Sequence, residues 1–139
     1  MEIADVRKRV NQAVERAKRR AAERRARSDE ATRAYDAFLE GTAVPLFRQL
    51  SNVLRAQGYM FTVFTPSGSV RLMSDRGGED YIELTLDTTG PAPAVVGHSS
   101  RARGRRVVEA EHAIGDPARL TEEDVLAFVL KELEPFVER

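Results

Sequence analysis

The chain has 139 residues, the length of one ordinary domain, and is 42% hydrophobic, 32% charged and neutral overall. The absence of cysteine excludes disulfides, thiolate metal sites and cysteine nucleophiles. A neutral total gives the molecule as a whole no electrostatic preference for nucleic acid or an anionic membrane.

Hydropathy and composition also suggest where the protein resides. No apolar run approaches the ~20 residues of a membrane span, and the opening MEIADVRKRV lacks the apolar centre of a signal peptide. We therefore expect a cytoplasmic protein without a membrane partner. The preference for Arg and Ala over Lys indicates a bacterial source with a GC-rich genome.

Charge is distributed unevenly along the chain. Residues 1–27 carry ten Lys/Arg against four Asp/Glu, whereas residues 120–139 carry two against six. Opposite charges of this kind attract within a molecule or between molecules. We therefore divide the chain into a basic N-terminal helical arm, residues 1–27, and an α+β domain, residues 28–139.

The arm has the pattern of one long helix. Apolar residues recur at spacings of three and four and form one stripe, which consists of Ile3, Val6, Val10, Val14, Ala17 and Ala21. No Gly or Pro precedes Gly41, and Arg, Ala, Glu and Lys all favour helix. Pairs such as Glu15–Arg19 have the i,i+4 spacing of a helical ion pair. The stripe predicts burial, either against the chain's own domain or against a second copy in a two-fold dimer.

Two alternatives remain open after the arm. Ser28, followed by two acids, has the character of an N-cap and predicts a second helix and a helical hairpin; equally, one helix continues through it. Gly41 and Pro45 predict an interruption, with Thr42 capping a further helix. That helix has an apolar face and ends at Gly58, and the face consists of Leu46, Phe47, Leu50, Val53 and Leu54.

The period then changes from 3.6 to 2, which indicates strands. Five strands are predicted, at residues 59–64, 70–73, 81–87, 94–98 and 105–114, with polar loops between them, one at 99–104. The first is apolar on both faces and is therefore placed centrally in the sheet. Connections too short for a crossover helix predict an antiparallel meander.

The last element is a helix that packs on the sheet. Thr121 as N-cap and Asp124 at the third helical position form a variant capping box, and Leu120 and Val125 have the spacing of a hydrophobic staple. Pro135 predicts a kink or an early end. The expected buried face comprises Leu126, Val129, Leu130 and Leu133, widened by Val125, Phe128, Phe136 and Val137. The fold class is α+β.

Few residues suggest chemistry. His98 and His112 lie near Glu109 and Glu111, but strand alternation places both glutamates on the face opposite His112. A structural histidine is therefore favoured over a metal ligand or a catalytic base. The glycines of PSGS and DRGGED do not match a phosphate-binding loop and predict turns. The acidic residues of the second segment, Asp75, Glu79 and Asp80, predict a solvated loop.

Two arginine clusters remain. In the arm, any contact with phosphates would come from Arg16, Arg19, Arg20, Arg24, Arg25 and Arg27. The arm lacks aromatic and amide side chains from residue 13 onward, so such binding would show little sequence preference. The alternative is a solvated face that docks on an acidic surface of a second subunit. The second cluster, Arg101, Arg103, Arg105 and Arg106, predicts an exposed hairpin loop or sheet edge where charge deters strand addition.

Together these patterns predict a non-enzymatic, homodimeric protein without a cofactor. Its N-terminal helices mediate self-association, and its sheet domain recognises another protein. The alternative is a nucleic-acid-binding protein that uses the basic arm. A third hypothesis is a small-ligand cavity between the sheet and the last helix, lined by Phe61, Val63, Leu84 and Phe128.

Overall fold

The helices and strands follow one another in the order of an α+β protein. The computed structural model describes residues 1–138. It contains α1 (Ile3–Phe38), a π-helical turn (Leu39–Ala43), α2 (Val44–Ala56), β1 (Phe61–Phe64), β2 (Val70–Ser74), β3 (Tyr81–Asp87), β4 (Ala94–Arg103), β5 (Arg106–Gly115) and α3 (Glu122–Val137). By its contacts the chain divides into two compact units, Met1–Glu30 and Ala31–Arg139. The predicted fold class is confirmed.

Helix α1 runs through Ser28 without a break, so the chain begins with one long helix and not with a helical hairpin. The reason is the lack of Gly and Pro before Gly41 in a segment rich in helix-favouring Arg, Ala and Glu. An N-cap residue in the interior of such a segment does not by itself end a helix, because the backbone hydrogen bonds on both sides can form.

The interruption expected at Gly41 and Pro45 is a π-helical turn. Pro45 has no N–H with which to bond the Gly41 carbonyl, and the N–H of Val44 donates to Leu39 O, five residues back. Helix α2 therefore follows without a separate start, and Thr42 does not cap it: its N-cap position is Ala43, without a side-chain cap. The predicted new cap was wrong.

Helix α2 buries most of the face expected for it. Leu46, Phe47, Leu50 and Leu54 are buried, whereas Val53 is 59% exposed and was wrongly assigned to this face. Ser51 takes the buried position, and its hydroxyl donates to Phe61 O at 2.6 Å. The helix ends as predicted at Gly58, which has φ +90°. There the N–H of Tyr59 donates to Leu54 O and the N–H of Gly58 to Arg55 O, which is a Schellman motif.

The sheet is the expected antiparallel meander in the order β1-β2-β3-β4-β5. Two details differ from the prediction. Strand β1 lies at an edge and not in the centre, because it is the first strand of the meander and its neighbour is β2. Thr62 and Phe64 on its second face are exposed. Strand β4 continues to Arg103, so that the predicted loop 99–104 is mostly strand. The hairpin turns only at Gly104, where φ is +64°.

The core lies on one face of the sheet, here called the inner face. The strand register puts Phe61, Val70, Leu72, Ile82, Leu84 and Val95 on this face, and all are buried against α2 and α3. The predicted inward positions of β3, Ile82 and Leu84, are confirmed. The end of α1 also joins this core, because Tyr35 and Phe38 are buried. The opposite, outer face carries Phe64, Arg71, Tyr81 and His98.

Helix α3 begins with the predicted capping box. The Thr121 hydroxyl accepts from the N–H of Asp124 at 3.2 Å, and the Asp124 carboxylate accepts from the N–H of Thr121 at 3.0 Å. The helix continues past Pro135 to Val137, so an early end does not occur. Its buried residues are Val125, Val129, Leu133 and Phe136. Leu130 was predicted to be buried but is 47% exposed.

Candidate functional site

The apolar stripe of the arm lies at the surface of the chain. Its large members are all exposed: Ile3 by 78%, Val6 by 43%, Val10 by 53% and Val14 by 44%. Ala17 is also exposed and Ala21 is half-buried. The six residues share one side of a regular helix, as their spacing predicted. The stripe is therefore a surface that α1 presents as a unit.

Basic side chains flank this stripe on both sides. Each residue advances about 100° around an α-helix, so positions can be compared by angle. Arg9, Arg16 and Arg20 fall on one side of the line through Val10, and Arg7 and Lys18 fall on the other. Glu15 falls on the side away from the stripe. The stripe of the arm thus lies between two rows of basic side chains.

The six arginines named for nucleic-acid contact are exposed and do not share a face. Arg16, Arg20 and Arg27 lie within about 40° of one another, whereas Arg25 lies on nearly the opposite side of the helix. Among residues 1–138, none of the six forms an ion pair, and the expected pair Glu15–Arg19 does not form. All six charges can meet a partner, but a single flat surface could contact only those that share one side of the helix, such as Arg16, Arg20 and Arg27.

The second arginine cluster forms the tip of the β4–β5 hairpin, as predicted. The register pairs Arg103 with Arg106 and Arg101 with Val108, so these four residues share the inner face beyond the end of β3. Arg105 lies in the turn beside Gly104. Strand β5 is an edge of the sheet, and Val107 and Val108 are 42% and 43% exposed. The positive charge deters the addition of a further strand there.

Each histidine stands beside a carboxylate on a different face of the sheet. His112 lies on the inner face, with Nε2 at 3.6 Å from Glu132 Oε1, and Ser99 donates to Glu132 Oε2 at 3.1 Å. The carboxylate stands between the hydroxyl and the imidazole. The Ser99 hydroxyl thus bonds the carboxylate and not the imidazole, so these side chains do not stand in the order hydroxyl, imidazole, carboxylate of a serine nucleophile.

On the outer face, five side chains form a continuous row from β2 to β5. Arg71 Nε donates to Glu83 Oε2 at 2.9 Å, and its guanidinium lies 4.0 Å from the centre of the Tyr81 ring. That ring stacks on His98 at 5.7 Å. His98 Nε2 lies 3.4 Å from Glu109 Oε1 without hydrogen-bond geometry. The row thus consists of the Arg71–Glu83 ion pair and two ring contacts, of Arg71 on Tyr81 and of Tyr81 on His98.

The proposed ligand cavity under α3 is filled by protein. Phe61 and Leu84 are buried in the core, and Val63 and Phe128 pack against it. The hypothesis of a small-ligand site there was wrong. A cleft of about 200 Å³ lies beside the connection from α2 to β1, near the end of β2 and Phe136 of α3, and of the predicted lining it includes Phe61 alone.

The acidic loop after β2 is only partly solvated. Asp75 and Glu79 are exposed, but Asp80 is 3% exposed and its carboxylate accepts from the N–H of Ala102 at 2.7 Å. The prediction of a solvated loop was wrong for Asp80. Its role depends on a strand that is 22 residues away, and no local signal indicates it. Among residues 1–138, no group of three or more His, Cys, Asp or Glu is arranged to hold a metal ion.

Comparison with known proteins adds no relative. No protein-family model matches the chain, and neither a curated protein nor a solved structure is significantly similar to it. Across the described part of the chain, no helix is both long enough and apolar enough to cross a membrane.

Proposed function

We propose that this chain is a non-enzymatic interaction module that forms a homodimer through its N-terminal helix. The observation that carries the proposal is the exposed aliphatic stripe of α1, with its four large members between 43% and 78% exposed. Single exposed aliphatic residues are ordinary in proteins, but a row of them on one helix face marks an interaction surface.

The energetics favour a partner for this stripe. Full burial of a Val or Ile side chain contributes about 1.5–3 kcal/mol, so the four large residues together supply several kcal/mol. Most helical stability in proteins comes from packing of an apolar face, and residues 1–138 leave the apolar face of the arm exposed. The gain is comparable to the cost of association, which favours a dimer of moderate affinity. A two-fold arrangement is the commonest form for such a pair.

We further propose that the sheet domain recognises another protein. The outer face of the sheet supports this role because Phe64 is 46% exposed and lies opposite Arg71, whose guanidinium stacks on the Tyr81 ring. Aromatic residues and arginine are enriched at the centres of protein interfaces.

Sedimentation equilibrium at tens of micromolar tests self-association directly. The full chain is compared with Val10→Glu, which places a charge in the stripe, and with Gln12→Glu, which places the same charge on the opposite side of α1. We expect dimers for the parent chain and Gln12→Glu and monomers for Val10→Glu. A monomeric parent chain at these concentrations contradicts the proposal.

The second candidate function is nucleic-acid binding without sequence preference. It is supported by the six exposed arginines of the arm, which have no ion-pair partner among residues 1–138. These arginines are spread around the helix and do not form one face. Nucleic-acid binding is therefore less well supported than self-association through the stripe. A salt titration with mixed-sequence DNA and RNA tests it: binding that falls steeply with salt supports this function, and no binding at low ionic strength excludes it.

A further inference from the structure

The exposed side of α3 carries a second apolar patch, here called the α3 patch, formed by Leu126, Ala127 and Leu130. Leu130 is 47% exposed, Ala127 is exposed and Leu126 is half-buried. The three are neighbours on the helix because they are separated by three and four residues. The sequence pattern assigned Leu126 and Leu130 to the core, but the buried residues of α3 are Val125, Val129, Leu133 and Phe136.

Acidic residues bound the α3 patch at both ends. Glu122 and Glu123 precede Leu126 and Ala127 by one helical turn, and Glu134 follows Leu130 by one turn. All three glutamates are exposed. The patch is thus aliphatic in the middle and negative at either end. Lys131 is the one basic residue of α3.

The stripe of the arm has the complementary arrangement. It is aliphatic along its centre, with Val6 and Val10, and positive on either side, with Arg7 and Arg9. A helix that crosses α3 with its stripe on Leu130 places its two basic rows over the two acidic ends of the patch. This arrangement requires a steep crossing, which is less common than shallower crossings between helices, and packed helices have axes 8–10 Å apart.

A pairing of two arms with each other lacks this complementarity. It would bring the basic row of one arm beside that of its partner, because basic residues flank the stripe on both sides. Like charges that face each other across an interface oppose association, whereas opposite charges direct it. The charges of the chain therefore favour contact of the arm with an acidic surface over contact with another arm.

We propose that the arm of one copy docks on the α3 patch of a second copy. This inference rests on the proposed self-association and identifies the surface that receives the stripe. In a two-fold dimer each copy gives its arm and receives its partner's, so the same contact forms twice. The aliphatic residues at the centre of the stripe and of the α3 patch are buried in the contact and provide its affinity. The flanking charges determine where the arm lies on the patch.

The test uses full chains with reversed charges. The first variant, Arg7→Glu/Arg9→Glu, makes the arm acidic. The second, Glu123→Arg/Glu134→Arg, makes the ends of the α3 patch basic. We expect each variant alone to dimerise about tenfold or more weakly than the parent chain, because both of its contacts join like charges. A mixture of the two restores association, since each arm then meets a patch of opposite charge in the heterodimer.

A second pair of variants tests the aliphatic contact. Leu130→Glu is expected to weaken the dimer, whereas Val53→Glu, at an exposed aliphatic residue on α2, leaves it unchanged. Circular dichroism and thermal unfolding of each variant confirm that the domain remains folded. A parent chain that is monomeric overturns the proposed self-association itself. A dimer that is unaffected by Glu123→Arg/Glu134→Arg and Leu130→Glu overturns only the docking on α3.

Discussion

Gly97 on β4 lies directly against the ring of Phe128 on α3. A Cβ atom at position 97 would come within 2.6 Å of the ring carbons Cε1 and Cε2, closer than side-chain atoms pack. The glycine is therefore required for the close approach of α3 to the sheet, and it sets how α3 presents its other side, where Leu130 lies.

The first prediction concerns this contact. Gly97→Ala is expected to destabilise the fold by about 1–3 kcal/mol, because the added methyl group overpacks the space held by Phe128. Urea unfolding followed by circular dichroism measures the change. Gly78→Ala is the matched control, since no atom lies within 4 Å of its added Cβ. Equal stability of Gly97→Ala and the parent chain would show that α3 does not pack as described.

The second prediction concerns the hydroxyl group of Tyr35, which links α1 to the sheet. It donates to Gly68 O at 2.7 Å and lies 3.3 Å from Leu84 O. Tyr35→Phe is expected to cost about 1 kcal/mol, because two partly or fully buried carbonyls lose this donor. Tyr59→Phe serves as the control, since Tyr59 is 38% exposed. The prediction fails if both variants unfold at the same denaturant concentration as the parent chain.

The third prediction concerns alkaline pH. Burial, with the nearby charges of Glu83 and Asp36, raises the pKa of the Tyr35 hydroxyl above its ordinary value. A raised pKa in the folded state means that this contribution to stability is complete below the unfolded-state pKa of about 10 and is lost as pH rises beyond it. The parent chain should therefore lose stability above about pH 10 more steeply than Tyr35→Phe. Parallel stability curves over that range would contradict the assignment.

The fourth prediction concerns acid pH and the capping box of α3. Hydrogen bonds from the backbone N–H and the side chain of Thr121 lower the pKa of the Asp124 carboxyl group. The corresponding stability is present above the unfolded-state value of about 3.9 and is lost as pH falls through the lower folded-state pKa. Asp124→Asn should therefore unfold with less dependence on acid pH than the parent chain. Carbon-detected NMR titration of Asp124 gives the pKa itself, and an ordinary value would contradict the cap.

The fifth prediction concerns the ion pair on the outer face of the sheet. Arg71 and Glu83 are 28% and 13% exposed and lie 2.9 Å apart, so solvent screens them only in part. A double-mutant cycle to alanine is expected to give a coupling of roughly 0.5–1 kcal/mol. The exposed pair Arg119–Asp116, at 4.0 Å, should give almost none. If the losses of stability from the two single substitutions were strictly additive, the Arg71–Glu83 ion pair would make no contribution to stability.

Local sequence patterns predict much of the fold. The alternation of Ile82, Glu83 and Leu84 predicts a strand with one buried face, and the Thr121–Asp124 spacing predicts the start of α3. Both features depend on residues a few positions apart, which share one backbone conformation wherever the element finally packs. The stripe of the arm is also a short-range feature, because the helical spacing of its residues is the same whether Val10 is exposed or buried.

The errors arose where burial depends on distant elements. Leu130 and Val53 each belong to an apolar helical face, but a helix on a sheet covers only part of such a face. Asp80 lies in a segment of loop composition but is buried, and its carboxylate accepts from the N–H of Ala102 on a distant strand, which the residues around Asp80 do not indicate. The edge position of β1 similarly depends on which strands pair.

The amino-acid sequence by itself determined the type and order of the elements, because helix and strand periodicity and capping are short-range properties of the backbone and its side chains. The tertiary structure decided the burial of Asp80, the exposure of Leu130 and the exposure of the second face of β1. Burial and exposure depend on which helix and strand surfaces contact each other. Close packing limits those contacts, as where Gly97 lies against the ring of Phe128.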